Sequence, residues 1–180
     1  MYRRVDVLLE GRDDRRFFDA VIRPILQTRY DDVRTWEYAG KSIERRINYL
    51  RSIQAMGNAD YLFVSDLDTS PCITERKAHL VNSHKGMIDV SRTIIVKREI
   101  ESWYLAGMDD RVCRRLGVRV LRRTDGVTKE QFANLMPRRF NSVVEFMTDI
   151  LTRFRIKTAK GKNRSFRYLM DKLEAGSKKA

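Results

Sequence analysis

Four carboxylates in the first part of the chain are spaced so that they could act together. Glu10 and Asp14 follow one short apolar run, Val5-Asp6-Val7-Leu8-Leu9, and Asp66 and Asp68 follow another, Tyr61-Leu62-Phe63-Val64. Runs this short read as strands buried in a parallel sheet. Open α/β sheets bind ligands at the carboxyl ends of their strands, which is where these acids fall. Asp66 and Asp68 are two apart, so on an extended chain they project to the same side. Two such charges about 5 Å apart at an effective dielectric of about 20 repel by roughly 3 kcal/mol. A cation between them removes that cost, and an all-oxygen donor set suits Mg²⁺ or Mn²⁺ rather than zinc. Asp-Leu-Asp taken alone reads equally as a solvated strand exit. The acids that follow the first strand turn the balance toward a metal site, which Glu99 and Glu101, after a fourth short strand at Thr93–Val96, could join. Chemistry at phosphate is what such a site would serve, with Lys97, Lys160 or Lys162 neutralising developing charge.

The elements that must position these residues alternate in type. Val5–Leu9 is the first strand, and Gly11 permits a sharp turn after it. Phe17, Phe18, Val21, Ile22 and Ile25 repeat with a helical period, and Pro24 kinks or ends that helix. Val33–Ala39 is a second strand, ended by Gly40. Ser42 caps a helix carrying Ile43, Ile47, Leu50 and Ile53, which Gly57 and Asn58 stop. The strand at 61–66 completes a β-α-β-α-β order, which implies parallel strands joined by right-handed crossovers. A helix over about 73–84, a fourth strand at 93–96 and a turn into a helix near 101–106 follow. Beyond 109 the chain reads as helical, with a helix start at Thr128, an amphipathic stretch at 143–154, a loop over 157–167, a short last helix near 165–174 and a mobile Ser-Lys-Lys-Ala tail. The expected architecture is α/β, a mostly parallel sheet of about four strands flanked by helices. A catalytic domain spans 1–108, and a basic helical extension packed on it spans 109–180.

Charge follows the same division. Residues 1–110 carry 18 Lys and Arg against 18 Asp and Glu, whereas residues 111–180 carry 19 against 6, which accounts for the whole net charge of +13. A neutral part with clustered acids beside a basic part is the pattern of a metal site next to a polyanion grip. The candidate nucleic-acid contacts are Arg114, Arg115, Arg119, Arg122, Arg123, Lys160, Lys162 and Arg164, holding phosphates without reading sequence. The same arginine run also reads as a solvated helix face. Trp103 and Tyr104 read as core rather than as base-stacking groups. The two cysteines, Cys72 and Cys113, form no C-x-x-C and no disulfide framework, and no apolar run is long enough for a membrane span. These features point to a cytoplasmic protein with no membrane partner. His79 and His84 have no third ligand at zinc spacing and read as surface or packing residues.

Leu8-Leu9-Glu10-Gly11-x-x-Asp14 followed by Asp66-Leu67-Asp68 resembles the Toprim domain, shared by topoisomerases, bacterial primases, recombination mediators, small 5S ribosomal RNA maturases and nucleases of the OLD family. The segment Glu99-Ile100-Glu101-Ser102-Trp103-Tyr104-Leu105-Ala106 further resembles a signature of small stand-alone OLD-like Toprim proteins, some linked to phage defence. The resemblance covers residues 5–106 and implies metal-dependent cleavage of DNA or RNA. It makes Glu10 a general acid/base or metal ligand, Asp66 and Asp68 the metal-binding pair, Asp14 a second acid and Glu101 an extra ligand. Lys97 joins Glu10, Asp66 and Asp68 as a catalytic candidate. The chain departs from the maturases and primases, which place a glycine soon after D-x-D where this chain has Thr69-Ser70-Pro71-Cys72. It has no Walker loop, so any ATPase partner would be a separate chain. A maturase-like ribonuclease, a non-catalytic binding module and a partner-dependent defence subunit are the alternatives.

Overall fold

The computed structural model describes residues 2–177. The last three residues of the tail expected to be mobile lie outside that range. Backbone proximity divides the chain into two compact units, Met1–Val96 and Lys97–Ala180. Residues 97–108, assigned from sequence to the first domain, fall in the second unit.

The first unit is a Rossmann-like α/β unit built on four parallel strands, β1 (Arg4–Leu9), β2 (Asp32–Glu37), β3 (Ala59–Asp66) and β4 (Thr93–Val96). Their order in the sheet is β2-β1-β3-β4. β1 pairs with both β2 and β3, Leu8 standing opposite Trp36 on one side and Phe63 on the other, and Asp66 pairs with Val96 on β4. Every strand after β1 is reached through a helical connection, as parallel pairing requires. The helices α1 (Arg12–Phe17) and α2 (Arg23–Leu26) are joined by one π-helical stretch, Phe18–Ile22, so the helix runs through without a break at Pro24. Proline lacks an N–H, and a π-turn ahead of it reorganises the bonds that the missing donor would have made. Helix α3 (Ile43–Ala55) starts on Ser42, whose hydroxyl accepts the Arg45 N–H at 3.2 Å. It ends before Gly57, which holds the left-handed conformation at φ +68°. Helix α4 (Ile73–Ser83) starts on Cys72, whose Sγ accepts the Glu75 N–H at 3.5 Å.

The connection from β1 leads outward to β2, whereas the connections into β3 and β4 run the opposite way. With right-handed crossovers, α1 then lies on one face of the sheet and α3 and α4 on the other. The packing agrees for α3 and α4: Leu50 and Ile53 of α3 and Leu80 of α4 join Leu8, Tyr61, Phe63 and Ile95 of the sheet in one buried cluster. Asp6 is fully buried on β1, gripped by Arg4 at 2.6 and 2.7 Å and by the Tyr49 hydroxyl at 2.7 Å. A buried carboxylate needs partners of this kind to stay charged.

The second unit is helical: α5 (Glu101–Ala106), α6 (Asp110–Leu116), α7 (Lys129–Leu135), α8 (Val143–Thr152), α9 (Ile156–Lys162) and α10 (Arg164–Ser177). The expected loop over 157–167 is instead two helices meeting at Asn163, because Gly161 is tolerated in the last turn of α9 and the chain turns only at the extended Asn163. The arginine run is helical only as far as Leu116; Gly117, at φ +73°, ends α6 and the chain to 127 is irregular. Trp103 and Tyr104 are fully buried, Trp103 edge-on to Phe166 and Tyr104 edge-on to Phe132. Among the described residues no helix is long and apolar enough to cross a membrane.

Candidate functional site

The point where the connections reverse direction lies between β1 and β3. Open α/β sheets leave a crevice there, at the carboxyl ends of the two strands, because their connections part to opposite faces. Glu10 is the first residue past β1 and Asp66 the last residue of β3. The exit of β1 is fixed by the Tyr38 N–H on the Leu9 carbonyl at 2.9 Å and the Ala39 N–H on the Glu10 carbonyl at 3.0 Å. The exit of β3 is fixed by the Leu67 N–H on the Val96 carbonyl at 2.9 Å. Asp14, buried in the first turn of α1, reaches back to accept the Gly11 N–H at 3.1 Å. The loop that Gly11 opens is therefore closed by the acid three residues on, with Gly11 at the helix cap and Asp13 and Asp14 in the first turn.

Tyr38 lies within electrostatic reach of three of these acids. Its ring stacks on Phe63 at 4.9 Å, and its hydroxyl donates to the Val64 carbonyl at 2.8 Å. Burial pushes the phenol strongly up, and the negative charges of Glu10, Asp14 and Asp66 push it further. Carboxylates from three separate elements are thus felt at one buried hydroxyl. Oε2 of Glu10 is buried and accepts no hydrogen bond from any described residue. A carboxylate oxygen removed from water and left without a donor is costly, and hard-cation coordination is one way to satisfy it.

Asp68 differs from the other acids. It is exposed, sits in the left-handed conformation at φ +50°, and its Oδ2 lies 2.5 Å from Nη2 of Arg76. That same Nη2 donates to the buried Ser65 hydroxyl at 2.8 Å, while the Arg76 Nε is buried with no partner among the described residues. Arg76 thus fixes a cation at the acidic edge and holds Asp68 with it. Among the described residues, no group of three or more His, Cys, Asp or Glu side chains is drawn together tightly enough to hold a metal ion. The donor set matches Mg²⁺ in its chemistry, hard oxygens only, but the carboxylates are spread along the sheet edge, with Asp68 engaged by Arg76.

The remaining candidates belong to the second unit. Glu101 is buried in the first turn of α5. Glu99 accepts the Lys129 N–H, and the Lys97 N–H donates to the Ser165 hydroxyl at 3.3 Å. Lys160 is held at 2.8 Å by both Asp171 and Glu174, which raise its pKa, so its ammonium already has counter-charges. Lys162 donates to the Met108 carbonyl at 2.7 Å and lies 3.7 Å from Asp110. Arg114, Arg115, Arg119, Arg122, Arg123 and Arg164 are exposed. His84 is buried, its Nδ1 2.9 Å from the Leu80 carbonyl and its ring edge-on to Phe63, in the packing role expected of it.

Sequence reasoning missed Tyr38 and Arg76. Tyr38 stood in a strand pattern with no chemical signal, and Arg76 is eight residues past Asp68 on a helix whose orientation the sequence does not display.

Fold and site together define a Rossmann-like α/β unit with carboxylates at its topological switch point, followed by a basic helical unit. No protein-family model, curated protein or solved structure matches the chain.

Proposed function

We propose that the chain is a metal-dependent nuclease of Toprim type, hydrolysing phosphodiester bonds of DNA or RNA at the β1/β3 edge. The observation that carries this reading is the buried Glu10 Oε2, which lacks a hydrogen-bond donor among the described residues, at the end of β1 beside the Asp66 end of β3. Glu10, Asp14, Asp66 and Asp68 would hold Mg²⁺ or Mn²⁺. The metal would supply polarisation of a phosphoryl oxygen and activation of water.

The chain's own residues set the conditions for this. Tyr38 keeps its proton at all physiological pH values, so it donates to Val64 and adds no negative charge beside the acids. Arg76 neutralises Asp68 until a stronger cation competes for it, and its fixed guanidinium then stands ready to offset charge on a transferring phosphoryl group. Glu10, at the strand exit, is placed to accept or return a proton. The basic second unit would supply phosphate contacts. The free thiols of Cys72 and Cys113 fit a cytoplasmic setting.

The test is a cleavage assay on supercoiled plasmid, single-stranded DNA and structured RNA with Mg²⁺, with Mn²⁺ and with chelator. The expected result is metal-dependent cleavage that disappears in Asp66→Ala/Asp68→Ala. Salt-sensitive binding without cleavage in any metal would instead select a binding module. Activity appearing only when a separate ATPase is added would select a partner-dependent subunit.

A further inference from the structure

The second unit contains a cavity of about 150 Å³ whose wall is dominated by Arg123, Arg164 and Arg167, together with Asp125, Asn163 and Lys162. Its frame is fixed by buried polar contacts. Asn163, 1% exposed, donates its amide to the Ser102 and Thr124 hydroxyls at 3.2 Å each, and its carbonyl oxygen accepts the Ser165 hydroxyl at 2.9 Å and the Phe166 N–H at 3.0 Å. Thr124 donates its N–H to the Lys162 carbonyl at 3.0 Å, which ties the irregular 117–127 segment to the junction of α9 and α10. The cavity is therefore built rather than an accident of loose surface side chains.

Its charge is unbalanced. Among the described residues, Arg123, Arg164 and Arg167 make no ion pair. The Lys162 ammonium is turned to the Met108 carbonyl and Asp110. The one carboxylate in the wall, Asp125, accepts the Arg164 backbone N–H at 2.8 Å. Arg167 is oriented by its Nε donating to the Lys160 carbonyl at 2.7 Å. Three arginines against one carboxylate leave the wall of this small space net positive, a charge that an entering anion offsets. Their planar donor forks suit phosphate better than a halide or a lone carboxylate. Arg123 also lines a second groove of about 440 Å³, with Arg119, Leu121, Val127, Leu135 and Asn134. A phosphate-sized cationic cavity sharing a wall with a larger, partly apolar groove has the chemistry of a nucleotide unit in a strand, a compact phosphate anion joined through its sugar to a flat base.

We infer that the second unit carries a nucleotide subsite, with a strand phosphate held by Arg123, Arg164 and Arg167 and the attached sugar and base in the Leu121/Val127/Leu135 groove. This rests on the reading that the ligand is nucleic acid, and not on the metal site. It also moves the grip from the full arginine run to three residues, one of them Arg167, and drops the two ion-paired lysines from it.

The test is fluorescence anisotropy of short labelled single-stranded DNA and RNA, titrated in chelator over a range of salt, with thermal melting to confirm that each variant is folded. Arg123→Gln, Arg164→Gln and Arg167→Gln should each weaken binding about tenfold and lower the slope of log affinity against log salt by roughly 0.7, the single-strand value for one lost phosphate contact. Leu135→Ala should weaken binding several-fold with no change of slope, because it removes apolar contact surface and not charge. Arg138→Gln, on the same unit but outside the cavity, should bind as wild type does. Cavity variants that match wild type, or an Arg138→Gln loss equal to theirs, would overturn the assignment. A normal Leu135→Ala with weakened arginine variants would also overturn it, leaving a bare phosphate site. Because no cleavage occurs in chelator, failure here leaves the nuclease reading to its own assay.

Discussion

The two units treat the same residue in opposite ways. Each contains thirteen arginines. In the first unit at least eight are in ion pairs, and Arg4, Arg76 and Arg92 reach acids that lie on or directly after strands. In the second, only Arg153 and Arg155 are ion-paired among the described residues. The totals follow: 16 Lys and Arg against 14 acids in residues 1–96, and 21 against 10 in residues 97–180. Arginine in the first unit neutralises acids that the sheet edge concentrates, whereas arginine in the second is left uncompensated and therefore available. Net charge alone would have hidden this, since exposed ion pairs contribute little to stability but do set what an incoming ligand meets.

The sharpest way to break the comparison is to remove the acids and leave the cations. Asp66→Ala/Asp68→Ala should lower metal-dependent cleavage at least about a thousandfold, while oligonucleotide affinity in chelator stays within about twofold of wild type. A parallel fall in affinity would mean that the two units do not divide the work. Next in size are changes that unmake each unit's frame. Asn163→Ala leaves the Ser102, Thr124 and Ser165 hydroxyls and the Phe166 N–H short of a partner and should cost about 3 kcal/mol in denaturant unfolding. Asp6→Ala strands the largely buried Arg4 guanidinium and should cost about as much. Gly107→Ala would put a methyl 2.1 Å from the Phe154 ring and should destabilise by about 1–3 kcal/mol.

A smaller effect concerns His84. Burial holds its pKa below the free value of about 6.5, so the folded state binds fewer protons than the unfolded one in that range. Stability should therefore be complete above about pH 6.5 and decline as the pH falls toward the lowered folded value, a slope that His84→Phe should flatten in urea titrations. The smallest expected change is Lys160→Ala: its ammonium is already paired with Asp171 and Glu174, so oligonucleotide affinity should not move beyond about twofold.

Much of the first unit was legible because its signals are local. Three short apolar runs and the weakly alternating Val33–Ala39 stretch gave four strands, Ser42 and Gly57 bounded α3, and the acids followed two of those runs directly in the sequence. The order β2-β1-β3-β4 was not legible, since neighbour choice depends on packing across the sheet, yet it is what brings Glu10 beside Asp66. Arg76 was invisible for a similar reason: a helix in the sequence does not say which strand end it faces. In the second unit, Gly161 and the lysines around it suggested a loop, but α9 continues through them because Ala159 is fully buried and Asn163 supplies the turn. Lys160 and Lys162 looked like free cations; their carboxylate partners lie eleven to fifty-two residues away in the chain, beyond any spacing rule.

The measurement that most directly tests the central claim is Mn²⁺ binding, followed by the electron paramagnetic resonance signal of free Mn²⁺ as protein is added. The account predicts saturable uptake by the wild-type chain that Glu10→Gln weakens and Asp66→Ala/Asp68→Ala abolishes, with every variant melting as a folded protein. No uptake by the wild type, or uptake indifferent to those substitutions, would contradict it.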